Sequence, residues 1–99
     1  MVMLGVDAHK ATHTIVAADG NGRQLAQCTV AATEAGHLEA LRFAARFEDR
    51  CWAVEDCRHL TRRLERALLA AGERVVRVPP KLMAGARRGA RTRRLARPW

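Results

Sequence analysis

Two carboxylates stand where short apolar runs end. Asp7 follows Val6 in the string Leu4-Gly5-Val6-Asp7-Ala8-His9-Lys10, and Glu55 follows Val54 in Ala53-Val54-Glu55-Asp56-Cys57-Arg58. Each run reads as a buried strand. Adjacent strands lie about 4.8 Å apart, so parallel neighbours would bring the two acids together at their carboxyl ends. Such a pair suits one hard cation. Mg²⁺ takes one or two carboxylates and fills its other positions with water and phosphate oxygens. Open sheets also bind ligands at the carboxyl ends of their strands. Two acids abutting buried strands cost desolvation unless a cation or hydrogen bonds compensate. The plainer reading is capping: Asp56 would cap the helix that follows, and Glu55 would merely precede it.

A second chemistry is carried by charge. The chain has 18 Lys+Arg against 10 Asp+Glu, a net charge of +8. Residues 1–78 hold all ten acids and are close to neutral, at +1. Residues 79–99 hold Lys81, Arg87, Arg88, Arg91, Arg93, Arg94 and Arg97, no acid, and a charge of +7. A near-neutral body with a cationic arm is the footprint of a polyanion partner, usually nucleic acid. The preference for Arg over Lys favours forked contacts to phosphate over mere solubility. The plain alternative is a solvated end. An acidic lipid surface fits less well, because Leu82, Met83 and Leu95 make too small an apolar face.

Other candidates are weaker. His9 and His13 are four apart, a zinc spacing on a helix, but they fall at a strand end and on the next strand. Cys51 and Cys57 form no C-x-x-C pair and read as small core or near-surface thiols. Asp19-Gly20-Asn21-Gly22 lacks the regular acids of a calcium loop and reads as a hairpin turn. Gly5 in a strand would permit close backbone approach, with no phosphate-binding glycine loop after it. Trp52, Trp99, Phe43 and Phe47 form no visible stacking platform for bases.

The elements that must position these residues follow from apolar runs and punctuation. Val2 to Val6, His13 to Ala18 and Gln24 to Val30 read as three strands of an antiparallel meander. Thr33 caps a helix with Glu34 in its first turn, and Leu38, Leu41 and Ala45 are its expected buried stripe. Cys51 to Val54 is a fourth strand. A second helix runs from His59 to Ala71 with Leu60, Leu64, Leu68 and Ala71 on one face, and Gly72 ends it. Arg74 to Val78 is a fifth strand, stopped by Pro79-Pro80. The order is β-β-β-α-β-α-β. Two right-handed crossovers give a mixed α/β sheet in the order 3-2-1-4-5 with both helices on one face. Strands 1, 4 and 5 read as apolar on both faces, so the second face needs a cover, and uncovered it would drive self-association.

Length and composition bound the rest. Ninety-nine residues allow one small domain. An apolar share of 48% is too high for a disordered chain. No run of 18 apolar residues exists, which excludes a helical membrane span. Met1-Val2-Met3-Leu4 has no basic start and soon meets Asp7, unlike a signal peptide. Three cysteines without a leader suit a reducing compartment, and a cytoplasmic location is expected.

Four stretches together resemble the DEDD transposases of the insertion sequence 110 family. They are Gly5-Val6-Asp7-Ala8-His9-Lys10 with Thr12-His13, Ala53-Val54-Glu55-Asp56-Cys57-Arg58, Val75-Val76-Arg77-Val78-Pro79-Pro80-Lys81-Leu82-Met83, and Arg87-Arg88 with Ala90-Arg91-Thr92-Arg93. They stand in the family's order and cover residues 2 to about 93. The resemblance implies a fold like ribonuclease H or the junction resolvase RuvC. With the charge split it gives a partial N-terminal domain of that type, 1–78, and a basic tail, 79–99. It also implies Mg²⁺-dependent DNA strand cleavage and exchange, with a structured guide RNA in many members. The family's first acid maps to Asp7 and its Glu to Glu55.

The sequence departs from the family beyond Arg93. The family continues into a Lys-Ser-Asp-x-x-Asp-Ala motif that supplies two more carboxylates, whereas no acid follows Glu73 here. The family's serine nucleophile also lies beyond this stretch. The expectation is a fragment cut short by a frameshift or early stop, folding marginally and inactive alone. Two rivals remain. One is a catalytically dead nucleic-acid-binding fragment that works through its tail. The other is an actin-like sugar-kinase fragment, since Asp7-x-x-Lys10 faintly resembles the first phosphate loop of those enzymes, although Ala8-His9 replaces their glycine.

Overall fold

The computed structural model describes residues 1–55 and 58–79. Three strands form first: β1 (Val2–Ala8), β2 (Thr12–Ala18) and β3 (Gln24–Ala31). Then come α1 (Glu34–Ala44), β4 (Arg50–Glu55), α2 (Arg58–Ala70) and β5 (Val75–Val78). They build one five-stranded sheet in the order β3-β2-β1-β4-β5. β1 pairs antiparallel with β2 and parallel with β4, and β4 pairs parallel with β5. The expected order and connectivity are the observed ones.

Local chemistry explains the turns. Asp19 accepts from the Asn21 and Arg23 amides through Oδ1, both at 2.9 Å. Gly22 takes the left-handed conformation the hairpin needs, at φ 82°. Those amide bonds hold the Asp19 carboxyl below its ordinary range. Thr33 Oγ1 accepts from the Gly36 amide at 3.1 Å and caps α1. Gly72, also at φ 82°, ends α2.

One sheet face carries both helices. Leu4, Val6, Ile15, Ala17, Trp52 and Val54 point into it and meet Ala40, Phe43 and Ala44 of α1 and Leu64 and Leu68 of α2. Burying each large aliphatic contributes about 1.5–3 kcal/mol. The other face alternates with it. It presents Met3, Gly5 and Asp7 from β1, Cys51, Ala53 and Glu55 from β4, and Val76 and Val78 from β5. Neither described helix packs on that face.

The two helical stripes differ from expectation. In α1 the buried residues are Gly36, His37, Ala40, Phe43 and Ala44. Leu38 is 54% exposed, and Ala45 lies past the helix end in solvent. The cause is Gly36: a Cβ there would overlap the Ala31 carbonyl. The helix approaches β3 through this glycine, and that contact turns the helix so that Leu38 faces water. In α2, Leu64 and Leu68 are buried as expected. Thr61 joins them inside, while Leu60 is only half-buried and Ala71 is exposed. Gly5 is corrected too. The nearest atom to a Cβ there would be the Val16 carbonyl at 4.0 Å, so no close backbone approach requires glycine.

Candidate functional site

The parallel register brings the two carboxylates together. Val6 is the partner of Val54, the last pair on the β1–β4 ladder. One step further sets Asp7 of β1 beside Glu55 of β4, on the face without helices. On its other side Asp7 pairs with Thr14, and Thr14 pairs with Thr29. The two threonine hydroxyls are 3.0 Å apart. A polar row therefore crosses the sheet at the carboxyl end of β1 and β4: Thr29, Thr14, Asp7, Glu55. The row below it, from Val16 through Gly5 and Ala53 to Val76, has small residues directly beneath the two acids.

Supports for the pair come from both flanks. His9 Nε2 lies 3.4 Å from Asp7 Oδ2. The His9 amide donates to Thr12 O at 2.8 Å, which tightens the β1–β2 turn. The Thr61 hydroxyl, buried in α2, donates to the Glu55 carbonyl at 3.4 Å and ties the helix to the end of β4. The sequence reading missed His9, Thr14 and Thr61 as neighbours of the pair. Thr14 was within reach of it, because a tight β1–β2 turn fixes which residue faces Asp7. Thr61 was masked by the leucines that surround it in sequence.

The other candidates separate. His13 is 1% exposed and points to the helix face, stacked on His37 at 6.2 Å between ring centroids. His9, by contrast, is exposed at the β1–β2 turn. Burial pushes the His13 pKa down, and the neighbouring His37 and His9 add to the shift. His37 is lowered by burial and by Arg63, with Glu34 opposing. His13 Nδ1 is buried with no hydrogen-bond partner among the described residues. Cys51 is buried and Cys28 half-buried. Burial, with Glu39 nearby, raises the Cys28 thiol pKa. Asp56 and Cys57 lie outside the described residues. So do Lys81, Arg87, Arg88, Arg91, Arg93, Arg94 and Arg97, the expected phosphate-binding residues. Among the described residues no group of three or more His, Cys, Asp and Glu could hold a metal ion.

The opposite end of β4 is built differently. Arg50 donates to both carboxylate oxygens of Glu73 at 2.8 Å and to Phe47 O at 2.7 Å. The indole of Trp52 donates to Glu73 Oε1 at 2.8 Å. The Arg50 guanidinium, with the Trp52 indole, holds the Glu73 carboxyl below its usual range. A shallow cleft of about 180 Å³ lies here, lined by Glu48, Arg50, Gly72, Glu73 and Arg74. Its central charges are consumed by one another, and it is remote from Asp7 and Glu55.

No helix among the described residues is long and apolar enough to cross a membrane. Comparison with curated proteins finds no match. A family model described as a transposase, the DEDD transposases of insertion sequence 110, matches residues 4–95. That match runs from within β1 to beyond β5, over nearly the whole sequence, and the chain belongs to the insertion sequence 110 family of DEDD transposases.

Proposed function

We propose that Asp7 and Glu55 are the metal-holding, catalytic carboxylates of a transposase domain that cuts and rejoins DNA. One observation carries this reading: the β1–β4 register sets both acids side by side on the face free of described helices. The donor set fits the ion. Two hard oxygen ligands on rigid neighbouring strands match the one or two carboxylates that Mg²⁺ accepts, with room for water and phosphate. The small residues beneath them, Gly5 and Ala53, leave space for a phosphate backbone. When bound, Mg²⁺ would polarise a phosphate oxygen and acidify a bound water.

This chain's own residues orient and tune that position. The paired strands fix the separation of the acids, Thr61 anchors the Glu55 backbone, and His9 Nε2 flanks Asp7 at 3.4 Å. Two-metal cleavage requires ions clamped about 4 Å apart, which two carboxylates alone do not provide. The family's two further acids have no counterpart after Glu73. Residues 1–99 therefore bind one ion weakly and cut no DNA until a segment bearing those acids is supplied. The partner is DNA, reached through the cationic residues 79–99; a guide RNA would bind through the same phosphate chemistry. The family match speaks against the sugar-kinase alternative. The dead-fragment alternative remains distinct because tail binding needs no metal.

The test is titration of Mg²⁺ or Mn²⁺ into the chain, followed by calorimetry or amide chemical shifts. We expect weak binding centred on Asp7 and Glu55, lost in Asp7→Asn and in Glu55→Gln. Unchanged binding in both variants overturns the assignment. Nicking of supercoiled plasmid by the chain alone, abolished by Asp7→Asn, would show that two acids suffice. For the tail, up to seven phosphate contacts give a slope of roughly −4 to −6 in log affinity against log salt. Deletion of residues 81–99 should remove nearly all DNA binding, and full binding by the truncated body would move the interface elsewhere.

A further inference from the structure

The two edges of the sheet are not alike. β5 is short, four residues, carries Arg77 and runs into Pro79, features that blunt an edge. β3 is eight residues long and contains no charge and no proline: Gln24-Leu25-Ala26-Gln27-Cys28-Thr29-Val30-Ala31. Its register on β2 slips at one point. Ala17 pairs with Ala26 and Ala18 with Gln24, which leaves Leu25 as the extra residue of a bulge. Beyond the bulge, Ala26 to Ala31 is a regular edge, and among the described residues its outward N–H and C=O groups have no strand partner. A long, uncharged edge of this kind is a template for another strand.

We propose that β3 pairs antiparallel with β3 of a second copy of this chain, about a two-fold axis normal to the sheet through Cys28. Residues opposite one another across such an axis must lie on the same sheet face. Cys28 then faces itself, Gln27 faces Thr29 of the partner subunit, and Ala26 faces Val30 of the partner subunit. The helix above β3 fits the same axis. Glu39 in α1 and Arg46, in the turn just past its end, are both exposed and both near enough to Cys28 to act on it electrostatically. Rotation about Cys28 carries Glu39 toward the partner's Arg46 and Arg46 toward the partner's Glu39. That charge pattern is complementary to itself, as a closed two-fold interface requires. Arg46 is held in place over the Phe43 and Phe47 rings, at 5.4 and 5.8 Å from their centroids. The dimer has one continuous ten-stranded sheet with both pairs of helices on one side.

The test is sedimentation equilibrium of the full chain, freed of nucleic acid by nuclease, over a range of concentrations. A monomer–dimer equilibrium is expected. Gln27→Lys with Thr29→Lys opposes two like-charged pairs across the axis and should raise the dimer dissociation constant about tenfold or more. Gln27→Lys with Thr29→Glu makes both pairs attractive and should restore it. Both residues are exposed, and circular dichroism checks that the fold survives. If the double-lysine variant does not fold, the helix carries the test: Glu39→Arg should weaken the dimer, and Glu39→Arg with Arg46→Glu should rescue it. A chain that stays monomeric at every concentration overturns the proposal. So does a dimer indifferent to the β3 charges in a folded variant, which would place association on the open sheet face, or one indifferent to the Glu39 and Arg46 changes.

Discussion

The two ends of β4 hold charge in opposite ways. At the amino end, Arg50 meets Glu73 in a two-pronged ion pair, and Trp52 and Phe47 use the remaining hydrogen-bonding capacity. Opposite charges there satisfy one another, and Glu73 is nearly enclosed, its side chain 9% exposed. At the carboxyl end, Glu55 sits beside Asp7, a charge of the same sign. The first arrangement stabilises the fold and offers nothing to a ligand. The second sets two like charges side by side, with His9 3.4 Å from Asp7, and is complementary to a cation. One short strand thus separates a structural end from the end proposed to hold a cation.

The sharpest way to break that contrast is to make the same chemical change at both ends. Glu73→Gln leaves the Arg50 guanidinium part-buried without its counter-charge, so unfolding free energy should fall by about 2–3 kcal/mol, read by urea denaturation. Metal binding at the far end should not change. Asp7→Asn relieves the repulsion with Glu55, so stability should hold or rise by less than about 1 kcal/mol, while metal affinity disappears. If both variants lose stability alike, the division of labour is wrong.

A third, smaller effect sharpens the contrast by pH. The folded-state pKa values of His13 and His37 lie below the ordinary 6.5. The unfolded chain therefore binds more protons as the solution is acidified, and their contribution, complete above pH 6.5, is lost as pH falls below it. The groups facing them are His9, Arg63 and Glu34. Glu73 is also depressed, from an ordinary 4.5, so its contribution persists to lower pH and is lost below that value. Acid should thus weaken the protein in two stages. His13→Phe should flatten the first stage and leave the second, as followed by melting temperature against pH. A first stage unchanged by the substitution would assign it to other groups.

Much of the fold is legible in the sequence. The strand order follows from five apolar runs, the Asp19-Gly20-Asn21-Gly22 turn signal and the handedness of crossovers. The pairing of Asp7 with Glu55 follows from that order, because both acids stand one residue past a valine that must be buried. Two things were not legible. The rotation of α1 depends on a contact between Gly36 and Ala31, and a hydrophobic pattern weighted by large side chains selects Leu38 instead. The Arg50–Glu73–Trp52 cluster depends on the β4–β5 register, which pairs Trp52 with Val75. No local spacing encodes a contact between residues 23 apart.

The parallel joint between β1 and β4 bears on how the molecule assembles in time. The meander of β1, β2 and β3 closes through short turns, and such local contacts form early. β4 can reach β1 only after the chain has traversed β2, β3 and α1, so the loop entropy of that long excursion is met before any pairing rewards it. Asp7 belongs to the early half and Glu55 to the late one. The carboxylate pair therefore comes into being only at the docking step, and a metal present during refolding should slow unfolding without hastening the collapse of the meander.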